Sequence, residues 1–169
     1  MSQKNLFFEG SAHVPLLIMP PQGRSLPQNI SVEAPTDLVD LYPTILAMAG
    51  LSSPVSVSGR NLLEPVPMDR IFFGNSLNRN FCVMEEKVKL VYSAVGDHVL
   101  LFDLNTDPME QHNLAEDPAW QERKAKLWKL LLEHTAQYTP EALDENGQFL
   151  TYEAPHFPGD VPCLLYTSP

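Results

Sequence analysis

The stretch LLFDLNTDPMEQHNLAEDP, residues 100–118, contains the end of a strand, a long turn and the start of a helix. LLFDL closes an apolar and aromatic run that begins at His98. In the turn, Asp107-Pro108 fixes one bend, and the Asn and Asp side chains can satisfy stray backbone groups. Asp117 followed by Pro118 is an N-cap with a first-turn proline. Upstream, RIFFGNS (70–76), NFCVMEE (80–86) and VKLVYSA (88–94) are rich in β-branched and aromatic residues. The turn residues SLNR, EK and GD separate these runs, which predicts an antiparallel meander of four strands. Downstream, residues 118–138 predict the clearest helix of the chain. Trp120, Lys124, Leu127, Leu131, His134 and Tyr138 recur at helical spacing, and only Lys124 breaks the apolar stripe before the His and Tyr end. This helix should cover one face of the meander, with Trp120 and Leu131 in the core and His134 at its edge.

The N-terminal part reads differently. HVPLLIM (13–19) is apolar on both faces, which suits a strand buried on two sides. Pro20 and Pro21 end it, since proline cannot donate to a ladder. Residues 36–50, TDLVDLYPTILAMAG, predict a helix capped by Thr36 or Asp40, with Pro43 in its first turn and Gly50 as its stop. Leu41, Ile45 and Met48 share one of its faces. SSPVSVSGRNLLEPVP (52–67) is a connection punctuated by prolines, and the chain beyond Thr139 reads as an irregular polar tail. The last residues, CLLYTSP (163–169), fit no element and are set apart as non-native.

The bulk properties narrow the function classes. The chain has 169 residues, 44% of them apolar and 19% charged, with a formal net charge of -10. A compact fold of this length buries roughly 70% of its unfolded surface. The negative balance argues against a nucleic-acid partner, which needs clustered Lys and Arg. The two cysteines, Cys82 and Cys163, form neither a disulfide framework nor a metal-type spacing. The longest apolar run is too short to span a bilayer, and no signal peptide precedes it. The compartment is left open, with a periplasmic or secreted parent as the expectation. The glycosylation-type triplet at Asn29 is common by chance.

Three stretches together resemble the sulfatases. KNLFFEGSAHVPLLI (4–18) is similar to their pattern of Lys, an aromatic-Glu-Gly triplet, a basic residue, then Val-Pro and an apolar strand. DLVDLYPTILAMAGL followed by SGRNLLEP is similar to their Asp-Leu-x-Pro-Thr helix and Gly-x-x-Leu turn. LLFDLNTDPMEQHNLAEDP is similar to their C-terminal signature. The resemblance runs from Lys4 to Tyr138 and implies the C-terminal part of an α/β fold of the alkaline phosphatase superfamily. Residues 1–67 would be the last part of the α/β core, 68–138 an antiparallel sheet with one helix, and 139–169 the tail. It implies hydrolysis of sulfate esters in the parent enzyme, with calcium or another divalent cation and a formylglycine made from Cys or Ser. The substrate would be a sulfated small molecule or a sulfated carbohydrate.

Lys4 inherits the role of a sulfate-binding lysine that stabilises the transition state, because a fixed ammonium in a water-poor pocket favours growing oxygen charge. Glu9 and Gly10 would shape the loop. His13, Asn75 and His98 are further candidates for substrate contact, His13 standing where an arginine is commoner and reading more as a structural partner. No run of Cys or Ser, x, Pro or Ala, x, Arg occurs in the sequence. The Asp-Asn-Gly or Asp-His-Gly metal motif is also missing, and it would lie upstream of Lys4. On this resemblance Met1 would be an internal methionine of a longer protein. No metal ligand is assigned in this chain, and none of these cofactors is expected to bind it alone. Without turnover of its own, the chain would expose the apolar faces of residues 13–19 and self-associate. Two alternatives remain: a phosphodiester or phosphonate monoester hydrolase of the same superfamily, and a non-catalytic sugar-binding module using Asn75, Arg79 and His98.

Overall fold

The structure, a computed structural model, describes residues 6–19, 31–54 and 57–153. Lys4, Asn29, Cys163 and the CLLYTSP end lie outside them. Four strands, β1 (Phe72–Ser76), β2 (Asn80–Glu85), β3 (Val88–Ser93) and β4 (His98–Asp103), form one antiparallel sheet in the order β1-β2-β3-β4. The register pairs Phe81 with Tyr92, Val83 with Leu90 and Leu90 with Leu101. Since side chains alternate across a pleated sheet, these residues share one face. The β2–β3 turn places Glu86 and Lys87 at φ 53° and 63°. This geometry favours Asn-Gly, and a non-glycine pair needs support from its surroundings. Here the Leu104 N–H donates to the Lys87 carbonyl, and the Arg123 guanidinium donates to the Glu85 carbonyl and pairs with Glu86.

The predicted C-terminal helix is present. A 3-10 turn at Pro118–Trp120 leads into an α-helix at Gln121–Tyr138 (α3), and the Asp117 carboxylate accepts from the Ala119 N–H. Leu127, Leu131 and Thr135 are buried at spacings of four, the stripe that faces the sheet. Trp120 packs at the margin of the core rather than within it. Lys124, the break in the stripe, donates to the Ala115 carbonyl and so ties the helix to the preceding turn.

The stretch after this helix carries few ladder bonds, as its composition suggests, yet its described part folds back onto the core. Ala142 and Phe149 are buried. The Phe149 ring lies 4.6 Å from those of both Phe81 and Tyr92, and 5.5 Å from that of Trp128. A turn at residues 144–148, tied by the Asp144 carboxylate, aims it there.

Residues 13–19, read from the sequence as a strand buried on both faces, form no strand. Leu17 is 90% and Met19 86% exposed. A strand requires ladder partners, and among the described residues none pairs with this segment. Only the short turn before it is helical, at Glu9–Ala12 (α1).

The second predicted helix is α2, Leu41–Ala49, entered through a 3-10 turn at Leu38–Asp40. Of the two expected caps, Asp40 stands at the N-cap position of α2, where its side chain makes no cap hydrogen bond to that helix. Asp37 and Asp40 form a reciprocal capping box across the 3-10 turn. Gly50 ends the helix at φ 78°, and its N–H donates to the Ala47 carbonyl. The predicted apolar stripe does not hold, because Ile45 is 60% exposed. Polar groups anchor this helix instead. Asp40 is fully buried and accepts from the Arg60 N–H (2.8 Å) and from both ends of the Arg70 guanidinium. Thr44 donates to the Asp40 carbonyl and accepts from the Leu62 N–H. A Cβ at Gly59 would stand 1.9 Å from the Val39 carbonyl oxygen, so only glycine allows this crossing. The Asp-Leu-x-Pro-Thr and Gly-x-x-Leu pieces are therefore two halves of one clasp.

Burial alone would raise the Asp40 carboxyl. The hydrogen bonds from Arg70, Arg60 and Asp37 and the Arg70 charge outweigh it and hold the group below its ordinary 3.8. A carboxylate depressed on folding contributes stability that is present above the unfolded value and lost as pH falls through the folded one. Asp40→Asn should thus lower the urea midpoint most at neutral pH, and the gap to the parent chain should narrow below pH 3.8. A gap independent of pH would contradict this assignment.

Candidate functional site

The sheet has a second face, and its composition is unusual for a solvent surface. Cys82, Val91 and Phe102 are buried there, together with Lys89. They alternate in sequence with the residues that face α3. What covers them is the N-terminal loop. The Phe7 ring lies over Gly74 so closely that a Cβ there would fall 2.5 Å from it. Phe8 meets Phe102 at 5.9 Å between ring centroids. The next residue, Glu9, reaches the Lys89 ammonium at 2.6 Å. Aromatic, aromatic, Glu is thus a plug with two apolar prongs and one charged one.

Lys89 is 2% exposed and stands between two carboxylates. Glu9 Oε1 and Glu110 Oε1 are each 2.6 Å from its nitrogen. Glu110 Oε1 makes this contact as an ion pair without hydrogen-bond geometry. The other oxygen, Oε2, accepts from the Glu9 backbone N–H at 2.5 Å. Glu110 takes a positive φ of 54° within the long turn. The constellation joins residues 9, 89 and 110, and so links the first and third of the motif stretches through β3. A buried lysine without such partners would carry a large desolvation cost.

Sequence reading missed Lys89 and Glu110. A lysine inside VKLVYS looks like a solvent-facing position of an alternating strand. The available signal was its neighbours: Val91 and Cys82 share its face, and an apolar face buries a lysine only with a counter-charge. Glu9, expected to shape the loop, does so through this pair.

The other candidates do not converge. Lys4 lies outside the described residues, five positions before Glu9. His13 is exposed and pairs with Glu9 at 2.9 Å, a structural partnership. Asn75, Arg79 and His98 lie at the sheet end where β1 turns into β2 and β3 into β4. Asn75 closes the first of these turns, bonding both the side chain and the N–H of Asn78. The Arg79 guanidinium sits 4.9 Å above the Tyr152 ring. His98 is exposed beside Gly96. Stacking on Phe73 at 3.9 Å occupies His134, whose pKa burial lowers.

Cys82 is fully buried, and burial pushes its thiol up to about 12, with the Lys89 charge opposing the rise. A thiol so raised does not supply a nucleophile. Among the described residues no group of three or more His, Cys, Asp or Glu could hold a metal ion. The described side chains therefore fit neither a cation centre nor a modified cysteine. Among them, too, no helix is long and apolar enough to cross a membrane.

No family model matches the chain. It is 34% identical over 131 residues to arylsulfatase K of Bos taurus, covering 66% of this chain and 24% of that protein. It is 35% identical over 166 residues to the choline-sulfatase of Rhizobium meliloti (strain 1021), covering 88% of this chain and 31% of that one. The solved structure of a 2-O GAG sulfatase matches with a TM-score of 0.51 at 22% identity, over 62% of this chain and 26% of the other. This chain thus spans between 24% and 31% of the length of these curated relatives.

Proposed function

The chain belongs to the sulfatase family, as a C-terminal part of that fold, and we propose that the whole protein hydrolyses sulfate esters. The observation that carries the reading for this chain is the docked loop. Phe7, Phe8 and Glu9 are fixed on the sheet by two ring contacts and a buried ion pair. Lys4 stands a few residues before that anchor, so its backbone has a short tether to a rigid base. In the proposed site the Lys4 ammonium faces the sulfate oxygens. Cleavage of the S–O bond moves negative charge onto those oxygens, and a preorganised cation there lowers the barrier.

Sulfatase chemistry implies a divalent cation and a formylglycine nucleophile. We assign both, with calcium as the cation, to residues other than those described. Sulfated sugars and sulfated small molecules are the proposed substrate classes, choline sulfate and glycosaminoglycan esters being the kinds named for relatives.

The test has two parts. The purified 169-residue chain, with or without calcium, should hydrolyse neither an aryl sulfate nor an aryl phosphate, because its sequence lacks the modification motif. Metal-dependent turnover well above a denatured control would overturn that. The whole protein, expressed from its native gene, should cleave the aryl sulfate in preference to aryl phosphate and phosphonate esters. The reverse preference would favour the phosphonate monoester hydrolase reading.

A further inference from the structure

The geometry points to Lys89 as a positioning residue for the proposed sulfate site: held by Glu110, it clamps Glu9 and so fixes the described loop onto the sheet, a few sequence positions after Lys4. The inference rests on the role proposed for Lys4, but its structural half stands on the described residues alone. Lys89 is rooted in β3, the strand paired on both sides and buried at every position. Its backbone is therefore held by ladder bonds to both neighbouring strands. Glu110 comes from the long turn and touches both other members, the ammonium through Oε1 and the Glu9 N–H through Oε2. Glu9 is the most exposed of the three side chains, at 26%, and heads a four-residue helical turn. Among the described residues the loop has no ladder bonds to the sheet. Its hold consists of the Phe7 and Phe8 contacts, which can slide, and the charged contacts at Glu9, which cannot.

The chemistry makes the arrangement asymmetric. Two carboxylates share one ammonium, so the cluster carries a net negative charge in a buried place. Removing the ammonium leaves two like charges that repel across the dock. The more exposed member, Glu9, then leaves, while Glu110 stays in its turn. A merely structural lysine would loosen the sheet instead of the loop.

Amide hydrogen exchange on the 169-residue chain tests the structural half. Reporters are the Glu9 N–H, which donates to Glu110, and the Ser11, Ala12 and His13 N–H groups, which donate to the Phe8 and Glu9 carbonyls. In Lys89→Met these should exchange about 10²-fold faster, the scale expected when one partner of a buried pair is lost. The β2–β3 amides should hold their protection. Glu9→Gln leaves the Lys89–Glu110 pair intact and should release the same amides, which keeps the test valid if Lys89→Met folds poorly. Unchanged loop exchange in Glu9→Gln, or equal loss in loop and sheet for both variants, would overturn the clamp.

The functional half is read in the whole protein with an aryl sulfate. Lys89→Met should lower kcat by about 10²-fold with KM little changed, since a displacement of about 1 Å can cost that much. Combined with Lys4→Ala it should add almost nothing, because both changes remove one effect. Full additivity would overturn the positioning role while leaving Lys4 in its place. No effect of Lys4→Ala would overturn the proposed site, and the exchange experiment would still judge the clamp.

Discussion

Leu131→Ala should lower the stability of the chain by about 2–5 kcal/mol, and Phe149→Ala by about 3–5 kcal/mol. Both side chains belong to the core between α3 and the sheet, and Leu131 is 1% exposed. Truncation removes transfer energy and leaves a void that the neighbours fill only in part. Leu131 lies beside Phe73 of β1 and Phe81 of β2, strands that cannot collapse into its void without breaking ladder bonds. Phe149 is walled by three rings, those of Phe81, Tyr92 and Trp128, which makes its truncation the costlier of the two. Trp120→Ala should cost less than either, since Trp120 only flanks the core. Urea denaturation of the three variants checks the order. If Phe149→Ala matches the parent chain, the stretch beyond α3 contributes nothing to the core, and its packing on the rings is wrong.

These elements differ in how openly the sequence announced them. The meander and α3 were legible because local signals agreed: strand-type composition, turn residues at short intervals, and an Asp-Pro cap before a four-residue stripe. Phe149 was not legible, since a single aromatic between polar turns has no period, and only the fold shows where it lands. The strand read into residues 13–19 depended on partners that composition cannot supply. Its exposed apolar side chains leave the physical reason visible: every backbone group needs a partner, whatever the local propensity. Helix α2 was placed correctly but explained wrongly. Its anchor is the Asp40–Arg70 pair, thirty residues apart, which no apolar period in the sequence announces. The proposed site shows the same division. Lys4, His13 and Glu9 stood out through a motif. Lys89 and Glu110, which hold Glu9 on the sheet, were hidden because a buried charge in a strand looks like an exposed one until the other face is covered.

Lys4→Ala in the whole protein should reduce kcat for an aryl sulfate by about 10²–10³, which is roughly 3–4 kcal/mol of transition-state stabilisation. KM should change much less, because the interaction strengthens as oxygen charge grows and is weaker in the bound ester. Fold and metal content should match the parent, as the loop's anchor at Phe7, Phe8 and Glu9 is untouched. Lys4→Arg should restore little, since a planar guanidinium cannot take the place of a compact ammonium aimed at one point. Steady-state kinetics on the three proteins gives the answer. A fall in kcat/KM carried wholly by KM would make Lys4 a ground-state binding group. Near-normal values of both constants would make it a solvated lysine, and the docked loop would then serve the sheet alone. The variant pair also separates charge from shape: a loss in Lys4→Ala that Lys4→Arg fully repairs would mean that only long-range charge is needed, and the fixed aim that the Glu9 anchor provides would be without purpose.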